Sequence, residues 1–177
     1  MSPRRRRGTI LLVLIAVACV GVAIDQGAKA LALARLTPGQ PIPLVSDIFQ
    51  LQLLRNSGAA FSAGSGMTMV FSILALVVLL AVIVAVVPRV RSMFWAIVVG
   101  LGLAGVAGNF IDRLVRSPGP FQGHVIDFLA LKHFAVFNVA DVFLTTAAVL
   151  IVLDAVFFKI DFNGDRSDSS DNGQATD

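Results

Sequence analysis

Between Met67 and Val87 only Thr68 and Ser72 are polar. A helix of roughly 20 apolar residues crosses the ~30 Å hydrocarbon core of a bilayer, and inside that core the backbone must satisfy its own hydrogen bonds. Three further stretches share this character. Ile10 to Ile24 is unbroken apolar or small, with a helical pattern that continues past Asp25 to about Leu36. Residues 93–115 and Asn138 to Phe158 supply the other two. The chain is 56% hydrophobic and 14% charged, against about 45–50% and about 25% in soluble domains. At 177 residues it cannot bury so much apolar surface in its own core, so lipid is the natural solvent. The expected fold class is an all-α membrane protein: four transmembrane helices with a small extracytoplasmic β-containing segment. The β structure is expected within residues 37–66. There Thr37-Pro38-Gly39 breaks the first helix, Pro41 and Pro43 keep the chain extended, and Gln50-Leu51-Gln52-Leu53 alternates with the period of a strand.

Basic residues near the span ends set the expected orientation. Arg4 to Arg7, the Arg89/Arg91 turn and Lys159 mark a cytoplasmic side. Arg35, Arg55, Arg113, Arg116 and Lys132 fall opposite, so the bias rests largely on the N-terminal cluster. Both termini are then inside, and the loops 37–66 and 116–137 face outward. Residues 1–9 are expected as a basic cytoplasmic N-terminus, 10–160 as the membrane domain and 161–177 as a disordered acidic cytoplasmic tail. A cleaved secretory signal is the alternative for the N-terminus, with Ala16-Val17-Ala18-Cys19 as a faint processing box. Three later spans, and an apolar run that continues past Cys19, argue against it.

The net charge of +3 is scattered apart from Arg4 to Arg7, so no nucleic-acid partner is expected. One cysteine excludes an intramolecular disulfide, and His124 and His133 add no zinc-ligand spacing. No metal and no cofactor is expected. Glutamate is absent, so carboxylate chemistry falls to aspartate.

Gly100-Leu101-Gly102-Leu103-Ala104-Gly105 is a literal G-x-G-x-x-G, but no strand precedes it within a continuous span. Gly100, Ala104 and Gly108 recur every four residues, which suits close helix packing. Asn109 and Asp112 then share a helix face, and Asp112 could simply pair with Arg113 or Arg116. Asp127 stands between apolar residues in Val125-Ile126-Asp127-Phe128. Asn138 and Asp141 open the last span, where they could serve as N-cap and first-turn acid. With Asp25 and Asn56, all these groups gather at the outer side. Two carboxylates in a site of low polarity would share one proton, one acting as base and the other as acid.

Four motifs stand together in order: Asn56-Ser57-Gly58-Ala59-Ala60-Phe61-Ser62, Gly108-Asn109-x-x-Asp112-Arg113, Gly123-x-Val125-x-Asp127-Phe128 and Phe137-Asn138-x-Ala140-Asp141. With Asp25, Gln26 and Lys29 they resemble the lipoprotein signal peptidase (signal peptidase II) family over about residues 10–158. The resemblance implies a membrane aspartic endopeptidase that cleaves bacterial prolipoproteins before a diacylglyceryl-modified cysteine. It implies Asp127 and Asp141 as catalytic, and Asn56, Asn109, Arg113 and Asn138 as substrate-binding residues that position the substrate backbone or the catalytic pair. Asp25 and Asp112 become supporting residues. The expected partners are the lipidated precursor and membrane lipid, and the expected state is a monomer in the bacterial cell membrane. Ser117-Pro118-Gly119-Pro120-Phe121-Gln122 extends a link that is usually short in the family. Two rivals remain at this point: a scaffold or transporter with buried aspartates, and a serine–lysine peptidase using Ser57 or Ser62 with Lys29.

Overall fold

The computed structural model describes residues 3–46, 48–58, 66–132, 134–158 and 160–163. Four helices are long and apolar enough to cross a membrane, over Arg5–Arg35, Met67–Arg89, Met93–Val115 and Val139–Phe157. The first helix, α1, is continuous over Pro3–Arg35, so the basic cluster lies on its first turns. Helix α2 covers Gly66–Ala81 and runs on through a π-helical turn, Val82–Val86, and a 3-10 turn, Val87–Arg89. Helix α3 is Met93–Val115, capped by the Ser92 hydroxyl accepting from Trp95 N–H. Helix α4 is Val139–Leu153, followed by a π turn at Asp154–Phe158.

Small residues let α3 sit at the centre. A Cβ on Gly100 would meet Val17 at 2.9 Å, and one on Gly105 would meet the Ala140 carbonyl at 2.6 Å. Gly21 lies equally close to Ala104 on the α1 side. The G-x-G-x-x-G string is thus a packing surface for α1 and α4, where van der Waals contact must hold helices that lipid does not drive together. At one end of the bundle Ile10, Leu14, Val90, Ala96, Val99 and Leu103 form an apolar core. There the Trp95 indole N–H donates to the Ile160 carbonyl, Arg91 N–H donates to Phe162 O, and the Phe162 ring lies 4.8 Å from Trp95. Residues 160–163 are therefore docked, and residues 164–177 lie outside the described residues. Asp154, buried in the π turn, accepts from Ile160 N–H and holds this strap in place.

The other end carries an antiparallel sheet in the order β1-β2-β3-β4: Ile42–Val45, Phe49–Asn56, Val125–Leu131 and Ala135–Phe137. The first pair lies within residues 37–66, where β structure is expected, and β2 contains the alternating Gln50-Leu51-Gln52-Leu53. The second pair comes from the loop 116–137, for which no strand was expected. Strand β3 is buried on both faces along Val125–Phe128, which erases the period-two signal.

Candidate active site

Sheet register decides which side chains face Asp127. Leu51 pairs with Leu129, but Leu54 pairs with Asp127 and Asn56 with Val125. Three residues of β2 therefore span two of β3, a bulge. Without it Arg55 would stand opposite Val125; with it Asn56 takes that place, on the same face as Asp127. The Asn56 amide donates to Asp127 Oδ2 at 2.9 Å.

The other oxygen, Asp127 Oδ1, accepts from Asn138 Nδ2 at 2.6 Å. Asn138 is the N-cap of α4, and with Asp141 it forms a reciprocal capping box: Asn138 Oδ1 accepts from Asp141 N–H, and Asp141 Oδ2 accepts from Asn138 N–H. The capping reading of these two residues holds, and the same geometry ties both carboxylates to one asparagine. Asn109 completes the ring. Its Nδ2 donates to Asp141 Oδ1 at 2.8 Å, and its Oδ1 accepts from Asn138 Nδ2 at 3.1 Å.

Asp127 is 1% exposed. Burial pushes its carboxyl from 3.8 up to about 6; the amides of Asn56 and Asn138 pull it down, and the charge of Asp141 raises it. It is suited to hold a proton near neutrality. Arg113 donates to the Asn109 carbonyl at 3.4 Å, and its Nε is buried with no hydrogen-bond partner among the described residues.

Asp25 and Asp112 do not join this group. They form a second cluster beneath it, around Lys29, whose Nζ lies 2.8 Å from each. All three side chains are 0% exposed. Arg116 pairs with Asp112 at i+4, so that local expectation holds. Asp25 Oδ1 accepts from Ala140 N–H at the start of α4, and Asp112 Oδ2 accepts from Ile126 N–H beside Asp127. Gln26 bridges Asp25, Asp112 and the Gly108 carbonyl. The cluster thus pins α1, α3, β3 and α4 together. Gln26 entered the sequence reading only as part of a motif, and Lys29 as part of that motif and as the activating lysine of the serine–lysine alternative; the i,i+4 spacing of Asp25 and Lys29 is the signal for the ion pair found here. Lys29 is ringed by Asp25, Asp112, Asn109 and the Gly108 carbonyl. No serine is among these partners, which leaves the serine–lysine alternative without support; Ser62 lies outside the described residues.

Fold and site together define a class: a multi-pass membrane protein with two asparagine-tethered carboxylates at the sheet-bearing end of its bundle. The family described as Signal peptidase (SPase) II matches residues 17–157, and the chain belongs to that family of proteases. It is 42% identical over 153 residues to the lipoprotein signal peptidase of Streptomyces coelicolor, covering 86% of this chain and 74% of that one. With the lipoprotein signal peptidase of Mycobacterium avium it shares 40% over 156 residues, 88% and 85% of the two chains. Among solved structures, a bacterial membrane enzyme determined in meso at 1.9 Å superposes with a TM-score of 0.70 at 28% identity, over 85% of this chain and 94% of that one. A second, determined at 2.3 Å, shares the fold with a TM-score of 0.62 at 24% identity, over 84% and 88%.

Proposed function

We propose that this protein removes the signal peptide from a diacylglyceryl-modified prolipoprotein, cleaving before the lipidated cysteine with water activated by Asp127 and Asp141. The observation that carries the reading is the tethering of both carboxylates to Asn138 while Asp127 is pushed up to about 6. In the reaction Asp141 takes a proton from water as the water oxygen attacks the scissile carbonyl, and Asp127 gives its proton to the carbonyl oxygen. Collapse of the diol breaks the C–N bond; the proton held by Asp141 passes to the leaving amine, and a diol proton returns to Asp127. The new carboxyl terminus belongs to the signal peptide and the new amine to the lipidated cysteine. The unpartnered Arg113 N–H and the amides of Asn56, Asn109 and Asn138 are placed to orient the peptide and the pair.

The basic residues support a sheet-bearing end on the extracytoplasmic side with both termini cytoplasmic. A site at the membrane surface suits a substrate whose lipid chains stay in the bilayer. The working unit is taken as a monomer built from residues 10–160, with 1–9 and 161–177 as cytoplasmic extensions. The test is turnover of a diacylglyceryl precursor by purified protein. Asp127→Asn and Asp141→Asn should each lower cleavage by roughly 100- to 10,000-fold while the lipidated precursor still binds; near-normal turnover by either sinks the aspartic mechanism.

A further inference from the structure

Asn109 occupies a decisive place, because its amide has a donor end and an acceptor end and only one faces Asp141. Nothing within the Asn109–Asp141 pair selects the orientation, since an amide can turn end for end with little change of shape. Asn138 helps, donating to Asn109 Oδ1 at 3.1 Å. The stronger constraint comes from below. Lys29 Nζ donates to the same Oδ1 at 3.0 Å, from a side chain with no solvent contact. An ammonium has donors and no acceptor. If Asn109 turned over, its NH2 would face that ammonium and its oxygen would face the Asp141 carboxylate, two repulsive contacts in a water-poor place.

We infer that Lys29 is a positioning residue for the catalytic pair, fixing Asn109 so that its Nδ2 is always presented to Asp141. Asp25 and Asp112 hold the ammonium in line by taking its other two hydrogens at 2.8 Å each. The close approach at Gly108 makes this possible, since a Cβ there would meet Asp25 Oδ2 at 2.6 Å. The buried ion cluster is then more than a rivet between helices: it sets the polarity of the hydrogen-bond chain Lys29–Asn109–Asp141 and stabilises Asp141 as the proton acceptor. This inference rests on the aspartic reading above.

Two perturbations test it, with kcat, KM and melting temperature measured for each. Asn109→Asp keeps the shape and still offers an oxygen to Lys29 and Asn138, but turns the donor toward Asp141 into an acceptor. The expected outcome is a folded enzyme with KM near wild type and kcat lowered on the order of 100-fold, the loss typical of misplaced reacting groups. Asp25→Asn/Lys29→Met removes one charge of each sign, leaves an acceptor for Ala140 N–H, and takes the donor away from Asn109. Its kcat should fall similarly in the wild-type background but by no more than about threefold further once Asn109 is alanine, because both act through one contact. Asp25→Asn/Lys29→Gln, which restores an N–H donor, should recover part of the lost kcat. Wild-type kcat in Asn109→Asp overturns the inference. So does an equal kcat loss for the Lys29 variant with and without Asn109. If the Lys29 variant does not fold, Asn109→Asp decides alone. Turnover surviving Asp127→Asn would instead overturn the aspartic reading, so the two failures are distinguishable.

Discussion

Replacing Asp127 by asparagine separates chemistry from folding, because its effects on stability nearly cancel. Burial raises the carboxyl from 3.8 to about 6. At about 1.4 kcal/mol per pH unit, a neutral side chain relieves about 3 kcal/mol of that penalty at pH 7. Against this, Asn56 and Asn138 donate to different oxygens of Asp127, and an asparagine retains one acceptor for the two donors. Leaving one buried donor unpaired costs about 1–3 kcal/mol. The variant should therefore melt within about 1–2 kcal/mol of wild type at pH 7. Cleavage of the lipidated precursor, by contrast, should fall by roughly 100- to 10,000-fold. The pH dependence has a definite sign. Between 3.8 and about 6 the folded carboxyl keeps a proton that the unfolded one has released. The wild type therefore loses stability as pH rises through that window, and Asp127→Asn lacks this loss. Thermal unfolding in detergent at pH 4 and pH 7, beside single-turnover cleavage, measures both effects. Near-normal turnover, or an activity loss matched by collapse of the melting temperature, would refute the reasoning.

Inserting one alanine between Leu54 and Arg55 should place Arg55 opposite Val125, where Asn56 stands; cleavage should fall at least 100-fold, as when a positioning group is lost. Activity retained with an intact fold contradicts that account of the register. In a Cys19→Ser background, a membrane-impermeant thiol reagent outside the cell should label Ser117→Cys and spare Arg91→Cys, and the reverse pattern overturns the orientation. Truncation after Asn163 should leave stability and cleavage unchanged. Truncation before Ile160 should lower stability by about 1–2 kcal/mol through loss of the Phe162–Trp95 contact and the strap's hydrogen bonds; equal melting of the two shortened proteins counts against the docked strap.

What the sequence reveals and what it conceals have different physical origins. The four spans are legible because lipid imposes one rule on every residue of a helix, and composition alone carries that rule. The small-residue stripe on α3 and the pairings of Asp25 with Lys29 and Asp112 with Arg116 are legible because a helix brings residues four apart onto one face. Asn138 and Asp141 announce themselves as a cap for the same local reason. Nothing local announces β3: with Val125–Phe128 buried on both faces, its residues read as a continuous apolar loop. Nor does Gln50-Leu51-Gln52-Leu53 show that β2 slips by one residue before Asn56, since a bulge depends on the partner strand. The ring around Asn138 is likewise assembled from elements distant in sequence, with Asn56 reaching it through that bulge and Asn109 held by a lysine 80 residues away. The acidic residues could be read as individuals. Their relation to one another is carried by three asparagines, whose amides have no charge to advertise and whose orientation only the surrounding donors and acceptors can fix. Without Asn56 and Asn138, Asp127 would be a buried liability, costly to desolvate alone, and without Asn109 and Asn138 the half-buried Asp141 would lose its tethers. Held by them, one can keep a proton while the other stays ready to accept one.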